Sequence, residues 1–213
     1  MEMLRLEFDL QHHLVLSRKN PNDHALIRLI LSTLATSKEI ANLTKSDLKR
    51  KGKAYSIQLF GEKRRISPLD EQTFNLINSI EGEKPFNLKE GEIDEIVSRY
   101  SPKDRKYTAK SLRKAMIAFL NDSSLFGIQI ESLSSKELED FMNDFNPLFS
   151  GVWLDEEGLR DFVLNYSTLN NITDPRKIAE ETGIEESFVV SALKSEKSIF
   201  SLAKKFDSER FIF

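Results

Sequence analysis

The sequence predicts a mainly α protein with a small antiparallel β-hairpin sheet. Apolar residues recur at helical spacing over most of the chain. One stretch, Ala54–Phe60, instead alternates and turns through Gly61-Glu62 into a second β-prone run. No internal repeat, low-complexity tract or long linker interrupts this pattern.

Taken in order, Leu4, Leu6, Phe8 and Leu10 alternate with charged or polar residues, which reads as a half-buried strand within residues 1–20. In a strand His12 and His13 face opposite sides, so they cannot jointly hold one metal and read as a chance surface pair. Asn20-Pro21-Asn22-Asp23 is a turn and helix start. Leu26, Ile27, Ile30, Leu31 and Leu34 then predict a core helix over 24–35. A brief helix follows from Ser37 to Leu43, with Thr36 placed to cap it, and Thr44–Leu48 reads as a capped turn leading away. The hairpin comes next. Lys63–Ser67 forms its return, and Pro68, which has no N–H for a ladder, is expected to end it. Phe74, Ile77 and Ile80 place a helix over 70–80, and 82–88 reads as a loop. Further helices are expected at about 90–100, 108–121, 134–144, 154–166, 174–182, 186–195 and 198–206. Asn146-Pro147-Leu148-Phe149-Ser150-Gly151 breaks the helical pattern, dividing the chain into 1–146 and 147–213.

Charge is unevenly distributed. Residues 1–115 hold 22 Lys/Arg against 16 Asp/Glu, a net of +6, and residues 116–213 hold 9 against 18, a net of −9. Local charge decides how a surface meets a phosphate backbone, so the first half is the DNA-binding candidate and the acidic half the candidate for a protein partner. Without cysteine there is no disulfide or thiolate chemistry, and a reducing cytoplasm is expected, the nucleoid in a prokaryote. No apolar run reaches the roughly 18–20 residues of a membrane helix, and the N-terminus carries no signal-peptide pattern. Cofactor and metal signatures are missing: no Gly-rich phosphate loop, zinc spacing or Gly-x-Ser-x-Gly elbow occurs. Asp155-Glu156-Glu157 reads as an acidic helix start, and Trp153 as packing.

The succession from Asp23 to Ile80 resembles the start of a tyrosine recombinase (phage integrase) catalytic domain. Leu31–Thr36 stands where that family reads leucine-rich helix and Thr-Gly-Leu-Arg. Ser37–Leu43 and Thr44–Leu48 match the short helix and the Leu-x-x-x-Asp region, and Gly61–Leu69 matches the hairpin, its lysine and the Arg-x-Val-Pro-Leu exit. Downstream, Lys110-Ser111-Leu112-Arg113 is similar to the His-x-Leu-Arg motif, with Lys110 in the histidine's place. The resemblance implies a fold and also its chemical loss. Thr36 replaces the first catalytic arginine. No Leu-Gly-His segment follows Arg113, and no tyrosine occurs between Tyr107 and Tyr166; Phe141 falls near the nucleophile's expected place. Strand cleavage needs a tyrosine nucleophile and two arginines for the phosphorane, whereas Lys63 and Arg113 alone suffice only to hold a phosphate.

A second motif, Asp174–Leu193, resembles a helix-turn-helix, with Pro175 at a helix start and Ala179, Gly183, Ile184 and Val189 at the packing spacings. Its second helix opens with Glu185 and Glu186, which disfavours base reading; Ser187, Ser191 and Lys194 are its only plausible DNA contacts.

These readings lead to a non-catalytic, duplex-DNA-binding protein, regulatory or architectural, with an integrase-like domain and a small helical unit. Lys45, Lys49, Arg50, Lys51 and Lys53 would approach phosphates from one side. Lys63, Arg64 and Arg65, with Lys106, Lys110, Arg113 and Lys114, would approach from the other. Two alternatives stay open: an active recombinase using a displaced tyrosine such as Tyr166, and a protein-interaction module working through the acidic half.

Overall fold

The structure is a computed structural model, and it describes residues 2–62, 64–123 and 129–195. They form two compact units, Met1–Gly151 and Val152–Phe213. In the first lie α1 (Glu2–Ser17), α2 (Pro21–Thr33), α3 (Ser37–Asn42), strands β1 (Leu48–Lys51), β2 (Ala54–Phe60) and β3 (Arg64–Leu69), then α4 (Glu71–Ser79), α5 (Glu90–Arg99), α6 (Ala109–Ser123), α7 (Ser135–Phe145) and α8 (Pro147–Ser150). In the second lie α9 (Glu156–Asn170), α10 (Pro175–Thr182) and α11 (Glu186–Lys194).

Helix α2 is the hub of the first unit. Asn20 caps it by accepting from the Asn22 and Asp23 N–H groups, and Pro21 takes the first helical position, where its missing N–H costs nothing. From Asp23 to Thr33 every residue is buried, against α1, α4, α6, α8 and β3. Even Arg28 is inside. Its Nε donates to Thr73 Oγ1 at 2.8 Å and its Nη2 to Asp70 Oδ1 at 2.7 Å, so the N-cap of α4 is also the counter-ion of the hub helix. Leu34 ends α2 in the left-handed conformation, φ 57°, with its N–H on the Ile30 carbonyl.

The first segment is a helix, not the strand its alternation suggests. Phe8 to Val15 is buried on all sides, so no polar stripe marks the helical period. His12 and His13 are consequently not surface residues: they are 6% and 0% exposed. His12 Nδ1 donates to the Tyr100 carbonyl at 2.9 Å, and His13 Nδ1 donates to the Asp9 carbonyl at 2.7 Å. His24 Nδ1 lies 2.9 Å from Ser17 Oγ. Around them Tyr107 donates to Asp9, and Tyr100 and Arg99 both donate to Asp23, which ties α1 and α2 to the segment joining α5 and α6.

The sheet is antiparallel in the order β1-β2-β3. Strand β1 was not expected: three of its four residues, Lys49, Arg50 and Lys51, are charged, a composition suited to an edge. Pro68 does not end β3. It pairs with Ser56, and because β3 is also an edge strand its missing N–H breaks no ladder. The short α8 falls in the segment expected to be irregular. The helix expected at 198–206 lies outside the described residues.

In the second unit Asp155 caps α9 through the Gly158 N–H at 2.8 Å, with Glu156 and Glu157 in the favourable first turn. A Cβ on Gly158 would lie 2.1 Å from the Val152 carbonyl oxygen, a contact only backbone movement relieves. Gly158→Ala should therefore cost about 2 kcal/mol, read as a lowered thermal midpoint, whereas an ordinary Gly→Ala change in a helix would raise it. Helices α10 and α11 meet through a short turn at Gly183, φ 74°, which ends α10 as a left-handed cap. Ile178, Thr182, Ile184, Val189 and Ala192 are buried there, and Phe162, Val163 and Tyr166 complete the core from α9.

Candidate nucleic-acid interface

Strand register decides which basic residues share a face. Side chains alternate across a strand, and cross-strand partners point the same way. Lys49 pairs with Ser56, and Ser56 with Pro68; Gln58 pairs with Ile66, and Phe60 with Arg64. Lys49, Lys51, Phe60, Arg64 and Ile66 therefore lie on one face and are all exposed. Leu48, Ile57, Leu59, Arg65, Ser67 and Leu69 occupy the opposite, core-facing side, and Arg50 is there too, at the rim.

That division splits the expected cluster. Arg64 stands outward, donating to Gln58 Oε1 at 2.7 Å with its guanidinium 5.7 Å from the Phe60 ring centroid. Lys49 Nζ donates to the Ser46 carbonyl, and Lys53 is exposed in the β1–β2 turn. Arg50 packs its guanidinium over Tyr55, whose hydroxyl donates to Glu71. Lys45 is half-buried as the first residue of a 3-10 turn, Lys45–Asp47. Lys63 lies outside the described residues.

Arg65 points inward to the C-terminal end of α2. Its Nε and Nη2 grip Glu39 at 2.7 and 3.0 Å, its Nη1 donates to the Thr33 carbonyl at 2.9 Å, and Nη2 also reaches the Leu34 carbonyl. The same Leu34 carbonyl accepts from Arg113 Nε at 2.7 Å. The structure thus brings Arg65 and Arg113 together on carbonyls a helix end leaves unpaired. Burial pushes the Glu39 carboxyl up, but the Arg65 hydrogen bond and charge, with help from Thr36, outweigh it and hold the group below the usual range. Lys106, Lys110 and Lys114 are exposed on and before α6, with Lys106 near the Ser98 carbonyl.

Thr36 has its own task. Its hydroxyl accepts from the Glu39 N–H, and Glu39 Oε2 accepts from the Thr36 N–H at 2.8 Å, a capping box that starts α3. Thr36→Ala should cost about 1 kcal/mol in a denaturant melt. Phe141 is buried and stacks on Phe145 at 4.9 Å, within a helix packed on β3. Tyr166 is also buried; its hydroxyl donates to Glu181 at 2.5 Å, and burial followed by that carboxylate pushes its phenol up. Among the described residues no group of three or more His, Asp or Glu is arranged to hold a metal, and no helix is long and apolar enough to cross a membrane. Sequence reasoning missed the buried Arg28 and Glu39. The Glu39 signal was present as the Thr-x-x-Glu capping spacing.

No family model matches the sequence. A protein of Archaeoglobus fulgidus described only as uncharacterized is 48% identical over 204 residues, covering 92% of this chain and 95% of that one. The chain belongs to that protein's family. Among solved structures, the XerH site-specific recombinase bound to palindromic difH substrate in a post-cleavage complex aligns with a TM-score of 0.47 and 16% identity. That alignment covers 68% of this chain and about half, 51%, of the recombinase chain.

Proposed function

We propose that this protein binds duplex DNA without cleaving it, as a regulatory or architectural descendant of a tyrosine recombinase. One observation carries the reading: the outer sheet face presents Lys49, Lys51 and Arg64 with no carboxylate among the strand residues that share it. Cations on strands that carry no acid of their own on that face attract a phosphate backbone, and such contacts position a protein on DNA with little regard to sequence. Lys110 and Lys114 add exposed charge along α6, and Lys63 belongs to the proposal through the hairpin resemblance.

Three other residues of the first unit support loss of cleavage. At the position matching the first catalytic arginine, Thr36 offers a short hydroxyl already committed to a helix cap, with no charge and no bidentate fork for a phosphorane. Arg65, whose guanidinium reaches that corner, is held by Glu39 and two carbonyls. Phe141 has no nucleophile.

The second unit supports a helix-turn-helix used for packing or a protein partner. Its packing positions are buried, while Glu185 and Glu186 are exposed at the start of α11, where a DNA reader would present neutral or basic groups.

A nicked duplex that traps covalent recombinase intermediates tests the reading. The protein should shift this duplex in a gel and release it fully under denaturing conditions. A denaturant-resistant adduct abolished by Tyr166→Phe would establish the recombinase alternative.

A further inference from the structure

Phe60 and Ile66 are out of place on a solvated sheet. They are 39% and 55% exposed, and the register sets them diagonally on the outer face, Phe60 opposite Arg64 and Ile66 opposite Gln58. A strand face turned to water is ordinarily polar, so two large apolar groups side by side need a reason. The surroundings supply one. The Arg64 guanidinium sits 5.7 Å from the Phe60 ring and is steadied by Gln58, while Lys49 and Lys51 extend positive charge across β1. An aromatic ring and a guanidinium plane at one end of the strands, with an amide beside them and two cations further along the same face, suit a nucleobase whose strand continues across the sheet.

We propose that this face is a stacking platform for unpaired bases, so that the protein favours DNA carrying a bulge, gap or splayed strand over perfect duplex. The proposal rests on the DNA-binding reading and sharpens its ligand. The Phe60 ring takes the base with Arg64 beside it, Lys49 and Lys51 hold the backbone further along the face, and Gln58 supplies an amide able to pair with a base edge. Ile66 closes the apolar side. Intact B-form duplex has no base face to offer, so it would use the cations alone.

The test uses the full chain and two fluorescently labelled DNAs, one a perfect duplex and one the same duplex with a two-nucleotide bulge containing 2-aminopurine. Wild type should bind the bulged DNA more tightly and quench the 2-aminopurine. Phe60→Ala should lose roughly tenfold or more on the bulge, and change by no more than about twofold on perfect duplex. Phe60→Leu, which keeps apolar bulk without a ring face, should lose a similar amount. Equal affinity of wild type for the two DNAs, or wild-type binding by Phe60→Leu, would overturn the platform and leave general DNA binding standing. Failure of wild type to bind either DNA at low salt would overturn both.

Discussion

Acidification from pH 7 to pH 5 should destabilise the first unit, its three histidines contributing about 6 kcal/mol, near the whole stability of an ordinary domain. The source is the three histidines, all buried in α1 and α2. Burial is the main cause in each case. It lowers His12 to about 4, with Lys103 adding to the effect and the Tyr100 carbonyl opposing it. It lowers His13 to about 3, against the opposing hydrogen bond to the Asp9 carbonyl, and His24 to about 4, helped by Arg28 and Arg18. Each ring is neutral in the fold and titrates near 6.5 when unfolded. The unfolded chain therefore binds more protons as the pH falls, and the stability present above 6.5 is lost on the way to 4. At pH 5 each histidine accounts for about 2 kcal/mol of that loss. Asp9 works the other way, because burial raises its carboxyl despite the Tyr107 hydrogen bond and the Arg105 charge. Denaturant melts at a series of pH values check this. The slope near pH 5 should correspond to uptake of between two and three protons, about one fewer in His13→Gln. A flat profile between pH 7 and 5 would mean the histidines are not enclosed as described.

Arg65→Ala should cost about 3 kcal/mol, while Arg64→Ala, one residue away, should change stability by less than about 0.5 kcal/mol. The two differ because register turns them to opposite faces. Removing Arg65 strands Glu39, whose side chain is only 6% exposed, and strips a donor from the Thr33 and Leu34 carbonyls. Lysine cannot restore this, since it lacks the fork that spans both carboxylate oxygens and a carbonyl. Arg64 loses only an exposed contact to Gln58 and a ring face. In DNA binding the order reverses: Arg64→Ala should weaken a complex that Arg65→Ala leaves intact wherever the protein remains folded. Thermal melts and gel shifts on both variants test the pair.

Legibility in the sequence followed burial asymmetry. Helices with one wet face, such as α4, α5 and α6, were readable from spacing. Helix α1 was not, because Phe8 to Val15 is enclosed on every side and its four alternating apolar residues imitate a strand. Strand β1 hid behind Lys49, Arg50 and Lys51, which look like a solvated loop until an edge pairing is known. At the site, the basic residues were readable as types but not as a surface. Nothing in Lys63-Arg64-Arg65 says that Arg64 meets solvent while Arg65 turns to Glu39; that depends on the β2–β3 register and on a capping box built one helix earlier. The role of Thr36 as a cap was legible from its place just before the helix start at Ser37, whereas its capping-box partner Glu39 went unread.

The role proposed for the outer sheet face is to hold a phosphate backbone through charge. Gel shifts with one duplex over about 50 to about 200 mM salt, comparing wild type with Lys49→Ala/Lys51→Ala/Arg64→Ala, test it most directly. The predicted result is binding that weakens steeply with salt in wild type, and a log–log slope shallower by roughly two to three in the triple variant at unchanged thermal stability. An identical slope in both proteins, or no wild-type complex at the lowest salt, would contradict the account.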